Sequence, residues 1–104
     1  MAEKNTIDEL AKKHGDLRVY HTDAGDIAFR PPKPAEYQRF TDKLTSGNKS
    51  KYAAMRELVL VCRVHPDREA ALSILDRYPG LVLQAGSAIN ELAGAEFEAE
   101  AKKG

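Results

Sequence analysis

Between Tyr52 and Val64 the chain carries a helix-length segment that is apolar in nearly every direction around its axis. Tyr52, Met55, Leu58, Val59 and Cys62 share one face at helical spacing, and Ala53, Leu60 and Val61 add apolar surface elsewhere. A helix with one apolar stripe lies at the edge of a domain, whereas one apolar on several sides has to be covered on several sides. The other segments must therefore pack around this one. With 104 residues there is room for one domain and one core.

Those other segments are short. Thr6 and Glu9 have capping-box spacing ahead of Leu10 and Ala11, and Gly15 closes a helix over residues 6–14 that has few apolar residues. Residues 17–22 and 27–30 are β-branched and aromatic runs joined by Asp23-Ala24-Gly25-Asp26, which predicts a β-hairpin. Pro31 and Pro32 stop the second strand, and Pro34 suits the first turn of a helix. That helix, residues 35–44, has the single stripe Tyr37, Phe40, Leu44. Ser46-Gly47-Asn48 breaks it, with Asn48 or Ser50 capping the central segment.

After His65-Pro66-Asp67 a further helix has the inner stripe Ala71, Leu72, Ile74, Leu75 and Tyr78 and stops at Pro79-Gly80. A last one repeats Leu81, Val82, Ala85, Ala88, Ile89 and Leu92 up to Gly94, with Leu83 on the opposite side. Gly86 within it either permits close helix packing or is tolerated at about 1 kcal/mol relative to Ala. The expectation is a mainly α fold: a small bundle of about four to five helices with an N-terminal β-hairpin. Residues 1–94 form its single domain, and residues 95–104 an acidic extension, helical or disordered. The expected core is Tyr37, Phe40, Leu44, Met55, Leu58, Val59, Cys62, Leu75, Tyr78, Ile89 and Leu92.

Charge argues against a dedicated nucleic-acid binder. Sixteen basic and sixteen acidic residues cancel, leaving a local excess between Arg30 and Lys51, where Arg30, Lys33, Arg39, Lys43, Lys49 and Lys51 stand against Glu36 and Asp42. Tyr37 and Phe40 in that region have the i, i+3 spacing of a buried helix edge rather than a base-stacking platform. A single cysteine forms no internal disulfide, and the charged start has no apolar signal region. No run approaches the ~18 apolar residues of a membrane span. These features predict a cytosolic protein without a membrane role.

No catalytic or cofactor chemistry emerges. Cys62 and His65 have the local spacing of two metal ligands, but a zinc site needs four, and His14 and His21 supply no second pair. As thiol and base they lack an orienting third group. Asp23 and Asp26 flank Gly25 as in a calcium loop, yet the other oxygen ligands are missing. Asp8 with Glu9, and Glu98 with Glu100, sit in polar segments that read as solvated faces. The expectation is no enzyme, no metal and no cofactor.

Taken in order, Phe29-Arg30-Pro31-Pro32, Glu36-Tyr37-Gln38-Arg39-Phe40, Val64-His65-Pro66-Asp67 and Arg77-Tyr78-Pro79-Gly80-Leu81 resemble a family of tail assembly chaperones of tailed bacteriophages. The resemblance runs from about Leu10 to Gly94; the first helix and the tail fall outside it. It implies a protein of the bacterial host cytoplasm, absent from the mature virion. Such a protein binds and solubilises the hydrophobic, helical tape measure protein and helps recruit tail tube subunits. Leu60 and Leu83, off their helices' main faces, are the candidate partner-binding residues, with burial in the core as the alternative for both. Competing functions are a minor tail or head-tail joining protein of the virion and a small nucleic-acid-binding regulator.

Overall fold

A computed structural model describes the chain apart from residues 1, 96, 98 and 103, and residues 2–5 by their backbone alone. The elements are α1 (Ala2–His14), β1 (Arg18–Thr22), β2 (Gly25–Phe29), α2 (Pro34–Ser46), α3 (Lys51–Cys62), β3 (Arg63–His65), α4 (Arg68–Arg77) and α5 (Gly80–Leu92). Among the described residues the fold is mixed: five helices and a three-stranded antiparallel sheet in the order β1-β2-β3, 59% helical. The helix count and the N-terminal hairpin are as expected, and the third strand makes the fold mixed α/β rather than a mainly α bundle. No helix among the described residues is long and apolar enough to cross a membrane.

The central helix is α3. Ser50 caps it by accepting the Ala53 N–H at 3.1 Å, and α2 and α5 pack along it. Ala54, Met55, Leu58, Val59, Leu60 and Cys62 are all buried. Gly86 on α5 makes room for the Met55 side chain of α3: a Cβ built there would overlap the Met55 thioether. Asp67 caps α4 by accepting the Ala70 N–H at 2.9 Å, and Pro34 opens α2 as its spacing predicts.

The helix expected to run through Val64 ends at Cys62 and passes directly into β3, which pairs with Ala28 and Phe29. Pro66 accounts for part of this, since the residue before a proline is pushed to extended conformations. The third strand places β2 in the middle of the sheet. Ile27, Ala28 and Phe29 are fully buried there, although the expected core contained no strand residue. The hairpin turn is tighter than expected: Asp23 and Ala24 alone form it, and Gly25, at φ 123°, already pairs with Thr22. Such a positive φ favours glycine. Thr22 Oγ1 fastens the turn, accepting the Ala24 N–H at 3.1 Å and donating to the Gly25 carbonyl at 2.6 Å.

Among the expected core residues Phe40, Met55, Leu58, Val59, Cys62, Leu75 and Ile89 are buried. Tyr37, Tyr78 and Leu92 are half-buried, and Leu44, at the end of α2, is 37% exposed. At the N-terminus α1 starts at Ala2, so Thr6 lies inside the helix rather than at its cap; Ala2, Glu3 and Lys4 are strong helix formers that extend it. At the other end Gly94 takes φ 84° and the described residues of the 95–104 tail are neither helix nor strand.

Arg30 joins these parts. Its guanidinium holds Glu36 by two bonds of 2.8 and 2.9 Å and donates to the Pro31 and Val61 carbonyls, while its backbone N–H donates to the Cys62 carbonyl at 2.9 Å. Glu36 also accepts the Lys33 N–H at the start of α2, at 2.8 Å. The Arg30 hydrogen bonds, helped by that N–H, hold the Glu36 carboxyl down at about 2 against the desolvation that would raise it.

Two outcomes are expected. A folded-state pKa below the unfolded one contributes stability above the unfolded value, lost as pH falls through the folded value. Acid denaturation of the wild type should therefore steepen between about pH 4.5 and about 2, and Glu36→Gln should flatten that interval while lowering neutral-pH stability by about 1.5–3 kcal/mol. Gly86→Ala improves helix propensity by about 1 kcal/mol, but the clash with Met55 makes it an overpacking change costing about 1–3 kcal/mol. A net fall in the denaturant midpoint checks that balance.

Candidate functional site

The hairpin and the α4–α5 corner enclose an open groove of about 650 Å³. One wall is the end of β1 and its turn, Tyr20 to Asp23; the other is Arg77 to Leu81 together with Gln84. The corner is tight because Pro79 has no N–H and interrupts the helical ladder. Leu81 and Val82 instead donate to the carbonyls of Tyr78 and Pro79, at 2.9 and 3.2 Å. Two tyrosine hydroxyls brace it from other elements: Tyr20 donates to the Gln84 carbonyl and Tyr52 to the Pro79 carbonyl, each at 3.3 Å.

The groove is mixed in character. Tyr20, Tyr78 and Leu81 give it apolar surface, and the Arg77 guanidinium lies 5.2 Å from the centre of the Tyr78 ring, a cation–π distance that steadies both side chains. His21 is held across the strands by Asp26 at 2.8 Å. On α5, Leu83 sits one turn beyond Gly80 and beside Gln84, both groove residues, and is 51% exposed.

The two candidate leucines part company. Leu60 is 7% exposed and belongs to the core cluster, because α3 is covered on its second side as well; it is not a groove residue. Leu83 remains on the surface. Val61, not singled out by the sequence reading, is 44% exposed and lines a narrow crevice between α2 and α3 with Phe40 and Leu58. Its off-stripe position in an otherwise buried helix was the available signal.

The basic region from Arg30 to Lys51 is neutralised in part from within the fold, with Lys33, Arg39 and Lys51 left exposed. Arg30 is committed to Glu36, and Lys43 and Lys49 share Glu57 at 3.0 and 2.6 Å. Hydrogen bonds from Lys49 and then Lys43 lower the Glu57 pKa. A nucleic-acid surface would need those cations directed outward to phosphates.

Cys62 is fully buried and burial pushes its thiol up to about 11, which suppresses the thiolate needed of a nucleophile or metal ligand. His65 lies in β3. Among the described residues no three His, Cys, Asp or Glu side chains are grouped to hold a metal. Asp23 occupies the hairpin turn and Asp26 the following strand, so they do not form one loop. The groove offers shape and apolar contact from Tyr20, Tyr78 and Leu81 beside the polar groups of His21, Asp23 and Arg77.

The contrast between the leucines has a stability signature. Leu60→Ala should cost about 2–5 kcal/mol, as buried Leu truncations do, whereas Leu83→Ala should stay within about 0.5 kcal/mol of the wild type. Denaturant titrations of the two variants measure both.

Residues 16–102 match the family model described as Domain of unknown function (DUF6848). The chain is similar in structure to an uncharacterised protein, rbstp2171, from Bacillus stearothermophilus, with a TM-score of 0.70, 28% sequence identity, and coverage of 92% of this chain and 99% of that one. No curated protein matches the sequence.

Proposed function

We propose that this chain, a member of the DUF6848 family, a domain of unknown function, is a tail assembly chaperone of a tailed bacteriophage, a reading that rests on the ordered sequence motifs and not on the family match. In this reading it works in the host cytoplasm, binds the tape measure protein, keeps it soluble while tail tube subunits are recruited, and is left out of the finished virion. The observation that carries the reading is the exposure of Leu83 beside the groove formed by Tyr20, Tyr78 and Leu81. A large apolar side chain half open to solvent, next to a concave and partly apolar surface, suits a partner helix that buries its own apolar stripe. The ordered sequence motifs supply the identity of that partner.

A role of this kind requires no catalytic group. It requires apolar surface that can be covered without unfolding the domain, and Leu83 meets that condition because it contributes little to the core. Leu60 does not.

The test is co-expression with the tape measure protein of the same phage genome. Wild-type protein should co-purify with it and raise its soluble fraction, and Leu83→Asp should weaken binding by about tenfold or more, the effect of removing an interface anchor, with an unchanged melt. Absence of any wild-type complex would remove the chaperone reading. Full binding by the Leu83 variant would instead move the contact elsewhere on the surface.

A further inference from the structure

Among the described residues α1 packs extensively against no other element. It has 13 residues, close to the length of ~12–15 at which an isolated helix is marginal in water, so it depends on cover, of which its own chain supplies only part. The molecule measures 55 Å along its longest axis against 22 Å along its shortest. A half-buried stripe of Ile7, Leu10, Ala11 and His14 runs along α1 at i, i+3, i+4 and i+7, and the positions between are exposed.

The order of residues on α1 is what indicates its cover. Asp8 and Glu9 precede the Leu10–Ala11 centre and Lys12 and Lys13 follow it, and the stripe is spaced alike in both directions from that centre. Within one helix the same charges have i, i+4 spacing, yet among the described residues none of the four makes an ion pair. A helix whose acidic half precedes its basic half is complementary to a reversed copy of itself, whereas an in-register parallel copy would set like charges together.

We propose that α1 is a self-association element: two copies of the chain pair through antiparallel α1 helices about a two-fold axis between Leu10 and Ala11. The stripes meet, and the Asp8–Glu9 pair of each copy lies alongside the Lys12–Lys13 pair of the other. This is an isologous contact, closed at two copies. A single helix pair buries far less than the roughly 1,200–2,000 Å² of a standard stable interface, so the dimer is reversible, and exposed charges make it weaken with salt.

Sedimentation of the full chain over a concentration series tests this. Mass should rise from 11.5 kDa toward twice that value. D8K/E9K and K12E/K13E should each self-associate at least about tenfold more weakly, since attraction becomes repulsion on both sides of the axis. An equimolar mixture of the two variants should dimerise again, and the fully exchanged D8K/E9K/K12E/K13E chain should behave like the wild type. A wild type that stays monomeric throughout, single-sign variants that dimerise undiminished, or a mixture that fails to recover would each overturn the proposal. Circular dichroism of the mixture separates loss of pairing from loss of the helix: restored dimer with restored helicity supports α1, and dimer formation independent of α1 helicity refutes it.

Discussion

The bidentate contact between Arg30 and Glu36 is the point at which three separate parts of the chain are fixed to one another. Arg30 leaves the sheet at the end of β2, Glu36 begins α2, and the carbonyls of Val61 and Cys62, the last residues of α3, accept from the same arginine. Both side chains are largely covered, 14% and 17% exposed. Removing either charge would strand the other away from water, a larger penalty than the pair's own net contribution. Beyond the proline step from Pro31 to Pro34, the guanidinium sets where α2 starts, and the Tyr37 hydroxyl, donating to Asn90 Oδ1 at 2.7 Å, and Lys43, paired with Glu57, hold the same helix further along.

That anchoring draws part of the basic stretch into the fold. Of its six cations, Arg30 faces inward and Lys43 and Lys49 converge on Glu57 across the α2–α3 seam, while Lys33, Arg39 and Lys51 stay exposed. Half of the cations counted along the sequence thus serve internal joints. A large apolar side chain is left open elsewhere, on α5 beside the hairpin, where Leu83 stands next to a groove built by residues up to 64 positions apart in sequence.

Much of the helical framework was legible because its signals are local. Ser50, Asp67 and Pro34 mark helix starts through their own chemistry, and the stripes on α4 and α5 follow from spacing. The misses have a common cause in what covers a residue rather than what it is. Leu60 and Leu83 look alike in sequence, both off the main stripe; the fold covers the side of α3 that carries Leu60 and leaves open the side of α5 that carries Leu83, so one is 7% and the other 51% exposed. The three apolar positions of the second hairpin strand, Ile27, Ala28 and Phe29, gave no sign that a third strand would bury them on both sides. β3 itself is three residues long and only its Val64 is apolar, too short a run to show an alternation, so only Pro66 distinguished it from more helix. The groove was invisible for the same reason, since Tyr20 and Gln84 meet only once the fold is complete.

The direct passage from α3 into β3, with no residue between Cys62 and Arg63, constrains how relatives of this chain can differ in length. A helix advances its side chains by about 100° per residue and a strand by half a turn. One residue added at this junction would either rotate the whole buried face of α3 or exchange the two faces of β3. Neither error can be absorbed locally, because the helix is held by α2 and α5 and the strand by β2. Insertions and deletions among homologues should therefore collect at the hairpin turn and in the segment between α2 and α3, and spare this joint. Helix and strand thus work as one rigid joint, in which a change on either side is felt on the other.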